Sequence, residues 1–371
     1  MRVGFFFVML GILISMNGYV AVRGWQALPV GSMLRPVFLA AVIVLFLSIF
    51  VAMIFSPNMP ALLGKAISHA AYSYLIVFVY LFLSFLVVDI IRVANYFFHF
   101  APQGMPLFRY WAFIATLGIT AILMIYGSWK FNHPEIVKLS LTAETPKQGK
   151  KLRIVAASDI HLGVTIDKAY LQKYVKMIND QHPDIVLLAG DVSDRSMIPV
   201  SRQHMDEELR QINAPKGVYA ITGNHEFYAE TPRATEEYLR KAGITYLRDS
   251  SALIDNSFYV LGRDDRTNVN RKEISELVEK LDRTKPVIML DHQPYELNLT
   301  EKNGIDLQIS GHTHNGQFFP GNLLVKNMYE LAHGYKKKGK SHIYVSSGLG
   351  IWGPQYRIGT QSELVVIDFN Y

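Results

Sequence analysis

Five short clusters of chemically capable residues follow one another along the second half of the chain. They are Asp159 and His161; Gly190, Asp191 and Asp194; Gly223, Asn224, His225 and Glu226; Asp291, His292, Gln293 and Pro294; and Gly311, His312, Thr313 and His314. This mixture of carboxylate, imidazole and amide oxygen suits hard or borderline divalent cations. Two such ions held about 3.5–4 Å apart can clamp an in-line phosphoryl displacement, with one carboxylate shared between them. Glycines beside the ligands let the backbone turn sharply and let a phosphate come close. The chain has no cysteine, so a thiolate zinc site, a Cys nucleophile and a disulfide framework are excluded. The remaining oxygen and nitrogen ligands suit Mn, Fe and Zn alike.

Such residues must be brought together by the elements before them, and each cluster follows a short apolar or β-branched run. Strands are expected at Arg153 to Ser158, Ile185 to Ala189, Gly217 to Ile221, Phe258 to Gly262, Val287 to Leu290, Leu307 to Ser310, His342 to Ser346 and Glu363 to Asp368. Helices are expected at Lys168 to Asp180, Thr235 to Ala242 and Arg271 to Leu281. This alternation reads as a layered α/β domain, in which a binding crevice forms beyond the carboxyl ends of the strands. Asp159 and His161 lie two apart, so on extended backbone both point to one side.

The first 130 residues are of another kind. They hold seven Lys or Arg and one acid, Asp89, which accounts for the whole net charge of +6 and leaves the rest of the chain neutral. A neutral second half argues against a nucleic-acid partner, because such binding needs basic residues on the working domain. Four stretches have the roughly 20 apolar residues needed to cross a bilayer: Gly4 to Val22, Pro36 to Phe55, Ala71 to Ile91 and Tyr110 to Trp129. Trp25, Trp111 and Trp129 fall at segment ends, where indoles sit between lipid and water. Gly4, Gly11 and Gly18 recur every seven residues and offer a seam for close helix contact. Asp89 and Arg92 are spaced to pair on one helix face. A retained anchor is preferred to a signal peptide, since the first span is long and no persuasive cleavage site follows. The expected divisions are a membrane domain over 1–130, a linker over 131–150, and a catalytic domain over 151–371. Arg2, Lys65, Lys130, Lys138 and Lys147 would flank one side, and Arg23, Arg35, Arg92 and Arg109 the other. That balance chooses no side of the membrane.

In order and spacing the five clusters resemble the calcineurin-like metallophosphoesterase superfamily, with its pattern D-x-H, G-D-x-x-D, G-N-H-[DE], H and G-H-x-H. The match resembles in particular the bacterial membrane-anchored branch, in which such a domain follows transmembrane helices. The resemblance implies a four-layer α/β/β/α sandwich preceded by an all-α membrane domain of four transmembrane helices. It implies that Asp159, His161 and His314 hold one divalent metal ion, that Asn224, His292 and His312 hold a second, and that Asp191 bridges both. His225 would contact the phosphoryl group and protonate the leaving oxygen, with Glu226 or a nearby acid positioning its ring. Asp194 would orient the loop or a ligand histidine. The implied activity is that of a metal-dependent phosphoric ester hydrolase acting on a phosphoester or pyrophosphate bond through metal-activated water. Tethering beside lipid headgroups makes a lipid-linked or envelope phosphate the expected substrate, membrane lipid a partner, and the cell membrane, multi-pass, the location. Asn315 departs from the pattern, standing where a second glycine commonly follows the last histidine.

Other features have plainer readings. Arg263 and Arg357 are weighed as phosphate ligands against structural ion pairs, the latter being preferred. Asp291 is expected to face away from the ligands, as an alternating strand residue does. Ser347 to Gly350 lacks the ending of a phosphate-binding loop and reads as a turn beside the site. Lys336, Lys337 and Lys338 read as a solvated loop, and the seven histidines outside the clusters receive no role. Two rival functions are carried: a membrane transporter or sensor with a regulatory phosphoesterase-like domain, and a nuclease. The scarcity of intramembrane charge opposes the first, and the neutral second half opposes the other.

Overall fold

The computed structural model describes residues 2–100, 105–144, 149–228 and 232–371, without the side chains of residues 2–6 and 9. The described chain divides into two compact units, Met1–Tyr126 with Gly353–Gln355, and Gly127–Trp352 with Tyr356–Tyr371.

The first unit is helical: α1 (Arg2–Ala27), α2 (Leu34–Phe55), α3 (Ala61–Phe98) and α4 (Met105–Asn132), the last turns of α4 belonging to the second unit. Among the described residues three stretches are long and apolar enough to cross a bilayer: Leu34–Asn58, Ala61–Phe98 and Met105–Asn132. The first of the four expected spans is helical within α1 but is not one of these three, and several of its side chains lie outside the described residues. Helix α3 extends well beyond the apolar window that predicts it, because flanking residues such as Lys65 and Ala70 continue a helix readily. Val20, Ala71, Tyr74, Phe78, Leu81 and Phe85 form the interior of this unit. Ile43, Val44, Leu47, Ile90, Ile122 and Ile125 face outward, leaving the helices apolar all round as bilayer spans are. The glycine seam does not form as expected: a Cβ on Gly11 or Gly18 would meet nothing, whereas one on Gly24 would strike the ring of Phe38.

The second unit is built on two six-stranded sheets. Its strands are β1 (Glu135–Thr142), β2 (Lys151–Ala157), β3 (Ile185–Leu188), β4 (Val218–Ile221), β5 (Thr245–Leu247), β6 (Ser250–Ile254), β7 (Phe258–Gly262), β8 (Val287–Leu290), β9 (Leu307–Ser310), β10 (Gly334–Lys338), β11 (Ser341–Val345) and β12 (Glu363–Asn370). One sheet has the order β1-β12-β2-β3-β4-β5 and the other β10-β11-β9-β8-β7-β6. The neighbours β2, β3, β4 and β5 run parallel, as do β7, β8, β9 and β11.

Alternation along the strands sorts side chains into layers. Leu152, Ile154 and Ala156 of β2 meet Ile288 and Leu290 of β8 in the core between the sheets. Val155 and Ala157 point the other way, into a core closed by Leu171, Tyr174, Val175 and Ile178 of α5 (Lys168–Asn179). On the outer face of the second sheet, Val287 and Met289 pack on Ile274, Leu277 and Val278 of the short helix Ile274–Val278. The order of layers is thus α/β/β/α. All eight expected strands are present. Three segments differ from expectation: most of the linker's first half is β1, paired in parallel with β12, the lysine run is β10, where Lys336 and Lys338 pair with Glu330 and Lys337 with Glu144, and the helix expected over Arg271 to Leu281 is confined to Ile274–Val278.

Candidate metal centre

The five clusters leave the ends of β2, β3, β4, β8 and β9. Because β2, β3 and β4 are parallel neighbours in one sheet and β8 and β9 in the other, all five ends open on one rim. The backbone there leaves the strand conformation abruptly. Asp159, His161, Asp191, His312 and His314 have φ of +54°, +54°, +49°, +72° and +48°, a left-handed conformation that costs a non-glycine residue about 1–3 kcal/mol. Asn315 shares it at +48°, a conformation asparagine tolerates. Gly223 and Gly311 are required by close approach: a Cβ on either would collide with the carboxylate of Asp191 or of Asp159.

Asp159, His161 and His314 each present an atom within 4.8 Å of the others, as do Asp191, His292 and His312. Between these sets lies Asp191, its Oδ2 3.1 Å from His292 Nε2 and 3.9 Å from His161 Nε2. His314 Nε2 is 3.2 Å from His161 Nε2 and 3.4 Å from Asp159 Oδ1. Asn224 Oδ1 lies 2.7 Å from His312 Nδ1. Asp159 is steadied by the backbone N–H of His312, which donates to its carboxylate at 3.0 Å. All seven expected ligand positions therefore meet. His225 also falls within reach of His161 and Asp191.

The electrostatics follow from burial and neighbouring charge. Burial pushes His161 down to about 3 and His312 down to about 4. Burial, with the His161 ring adjacent, holds His314 well below its ordinary value. These imidazoles are neutral, the form that binds a cation. Burial raises Asp159 to about 6 although His292 pulls the other way. Burial would raise Asp191 too, but His292 and His225 outweigh it and hold this carboxyl well below the carboxylate range. Conversely, burial disfavours a charged His292, yet Asp191 and Asp159 lift it well above its ordinary value.

The residues fit divalent ions. His292 Nδ1 lies 2.8 Å from the carbonyl of Ala189, which places a proton there and turns Nε2 toward Asp191 and Asp159. Among the described residues, that Nε2 is buried with no hydrogen-bond partner, an arrangement costly for a polar atom unless a ligand completes it.

The acid in contact with the His225 ring is Asp194, expected to orient the loop or a ligand histidine, and not Glu226. His225 Nδ1 is 2.7 Å from the backbone oxygen of Asp194 and 3.0 Å from its Oδ1, and the same carboxylate lies 3.7 Å from His161. Burial alone would lower His225, but Asp191 and Asp194 raise it to about 9. Glu226 is engaged elsewhere, accepting from the N–H of Gly223 at 2.7 Å and of Ser193 at 3.0 Å, so it ties the two ligand loops together. Arg357 is buried and donates to the carbonyls of His314, Ser347 and Gly350. Arg263 and Arg271 pair with Asp291 at 3.0 Å and 3.3 Å. Neither Arg263 nor Arg357 is free to bind phosphate. Ser347 to Gly350 is a turn beside the site, with Gly348 against Asp159. The centre opens into a cleft of about 320 Å³ whose walls include Arg195, Tyr228 and Trp352. Sequence reasoning passed over these three; only the adjacency of Arg195 to Asp194 and of Tyr228 to the Gly223–Glu226 cluster pointed to the first two.

Residues 152–316 match the family model for the calcineurin-like phosphoesterases. The chain is 31% identical over 264 residues to an uncharacterized metallophosphoesterase of Campylobacter jejuni, a match spanning 69% of each chain. It is 32% identical over 272 residues to a transmembrane protein with metallophosphoesterase domain of Danio rerio, spanning 68% of this chain and 62% of that one. An uncharacterized metallophosphoesterase of Aquifex aeolicus is 30% identical over 258 residues, 67% of this chain and 97% of the relative. The chain belongs to the calcineurin-like metallophosphoesterase family, whose members use divalent metals, and its Asp and His groups are placed to hold one.

Proposed function

We propose that this chain is a membrane-anchored phosphoesterase that hydrolyses a phosphoester or pyrophosphate bond with the help of two divalent cations. The observation that carries the reading is the position of Asp191, whose carboxylate faces His292 at 3.1 Å on one side and His161 at 3.9 Å on the other. Asp159, His161 and His314 would hold one ion, Asn224, His292 and His312 the other, and Asp191 would serve both. When bound, the cations neutralise phosphoryl charge and make a water nucleophilic near neutral pH.

The chain's own groups supply orientation and proton transfer. The Nδ1–H of His292 is donated to the Ala189 carbonyl, which leaves Nε2 as the ligand atom. Asp194 accepts the hydrogen bond of the His225 Nδ1–H through its backbone oxygen and carboxylate, so the opposite N–H of the protonated ring is presented to the leaving oxygen as a general acid. Arg195, on the wall of the cleft, offers a guanidinium to the substrate's phosphate.

The helices α1 to α4 make the anchor multi-pass, with α1 as a fourth span, and a relative that carries the word transmembrane in its name supports this. Tethering favours a lipid-linked or envelope phosphate as substrate. The test is a panel of aryl phosphomonoesters, phosphodiesters and pyrophosphate esters, run on the full chain in detergent with Mn, Fe(II) or Zn. Metal-dependent turnover of one class is expected; no turnover of any class with any metal would reject the reading. For the lipid substrate, a phosphorylated lipid should accumulate in cells lacking the chain, and an unchanged lipid profile would count against it.

A further inference from the structure

The sole carboxylate among the first 130 residues, Asp89, is surrounded by guanidinium groups. Arg23 Nη2 lies 2.6 Å from its Oδ2, Arg92 Nη1 lies 2.8 Å from its Oδ1, and the Tyr19 hydroxyl donates to it at 2.8 Å. Arg109 lines the same narrow recess, of about 10 Å³, together with Phe85 and Val88. Three guanidiniums against one carboxylate leave an excess of positive charge, and no second acid exists in this stretch of sequence to offset it. In addition, Nε of Arg23 and Nε of Arg109 are buried with no hydrogen-bond partner among the described residues. Unpaired N–H donors and surplus charge in apolar surroundings are unfavourable until an anion supplies acceptors.

The location says which anion. Arg23 is near the end of α1, Arg92 near the end of α3 and Arg109 near the start of α4. Trp25 and Trp111, beside them in sequence, are 37% and 59% exposed, as indoles are at the boundary of lipid and water. Headgroup phosphates lie at that depth, and guanidinium forks match their oxygens.

We infer that Arg23, Arg92 and Arg109 form a binding site for the phosphate of an anionic phospholipid. A free phosphate offers the same oxygens, whereas a lipid presents them already at this depth. The inference rests on the helices being membrane spans, and it uses no residue of the metal centre.

The test uses the full chain reconstituted in nanodiscs of phosphatidylcholine with or without phosphatidylglycerol, with retained lipid read by native mass spectrometry and inorganic phosphate as a separate arm. Phosphatidylglycerol should be retained in preference to phosphatidylcholine, and Arg109→Gln should weaken that preference about fivefold, the effect of one basic side chain at a membrane surface. Arg109→Lys should keep most of it. Asp89→Asn, which raises the positive charge, should preserve or strengthen it, whereas a purely structural cluster would simply lose stability. A wild-type chain with no preference, a folded Arg109→Gln with the wild-type preference, or stabilisation by inorganic phosphate in place of lipid would each overturn the inference. A chain that is soluble without detergent would overturn the membrane reading; one that fractionates with membranes but shows no lipid preference would overturn this inference alone.

Discussion

His292 Nε2 and Asp191 Oδ2 face one another at 3.1 Å, while the far nitrogen of the same ring is fixed 2.8 Å from the carbonyl of Ala189. Ala189 and Asp191 leave the same strand, so one loop both sets the tautomer of the ring and supplies the carboxylate it faces. A divalent cation held by these groups would relieve the cost of two buried carboxylates, Asp159 and Asp191, standing among buried imidazoles.

Stripping the chain of metal with a chelator should therefore abolish turnover and lower the melting temperature, and adding back a divalent ion should restore both. At a metal concentration about a hundred times the dissociation constant, the stabilisation should be about 2.7 kcal/mol. A melting temperature unmoved by chelation and re-addition would contradict the ligand set.

Asp194→Asn should reduce kcat by about 10–100-fold, because it loosens the ring that delivers the proton. Metal content measured by mass spectrometry should remain that of the wild type. Glu226→Gln, which alters the tie between the Gly223 and Ser193 loops, should instead lower stability. Equal kinetic losses in the two variants would show that His225 is not oriented by Asp194.

Asp291→Asn should destabilise the chain by about 3–5 kcal/mol, since it removes the buried carboxylate shared by Arg263 and Arg271 and leaves Arg263 only the exposed Glu273 at 3.8 Å. Its effect on KM should be small, because neither residue reaches the cleft. A raised KM with unchanged denaturation midpoint would return Arg263 to the list of phosphate ligands.

Glu363 gives a pH signature away from the metals. Burial pushes its carboxyl up, but hydrogen bonds from His333 at 3.0 Å, the Ser347 N–H at 3.0 Å and Tyr344 at 3.1 Å outweigh that and hold it below its ordinary value. A depressed folded value means that the stabilisation is complete above the unfolded glutamate pKa of about 4.3 and is lost as pH falls through the folded one. Glu363→Gln should be about 1.5–3 kcal/mol less stable than the wild type at pH 7, and the gap should narrow below about pH 4. Denaturation midpoints across that range read it directly, and a gap that widens toward acid would refute the assignment.

The centre was legible because its information is local. Each ligand directly follows a short run such as Val287–Leu290, bounded by Pro286 and Asp291, and the residue type and strand end are written side by side. What stayed hidden depends on distant partners. Glu135–Thr142 is mostly exposed and becomes a strand only by pairing with β12, more than two hundred residues later, a context that local propensity does not contain. The lysines of β10 likewise need Glu330 and Glu144. The helix expected over Arg271 to Leu281 is confined to Ile274–Val278, where Glu273 and Glu276 form a capping box that starts it late. Choosing Asp194 over Glu226 as the partner of His225 required seeing which loop each acid crosses.

The central claim, that Asp191 is shared by two cations, is tested most directly by counting metal ions per chain and turnover together in the wild type and in Asp191→Asn. The account predicts two ions per wild-type chain, with both metal content and turnover falling in the variant, turnover by at least about a hundredfold. A variant that keeps two ions and full turnover would contradict it.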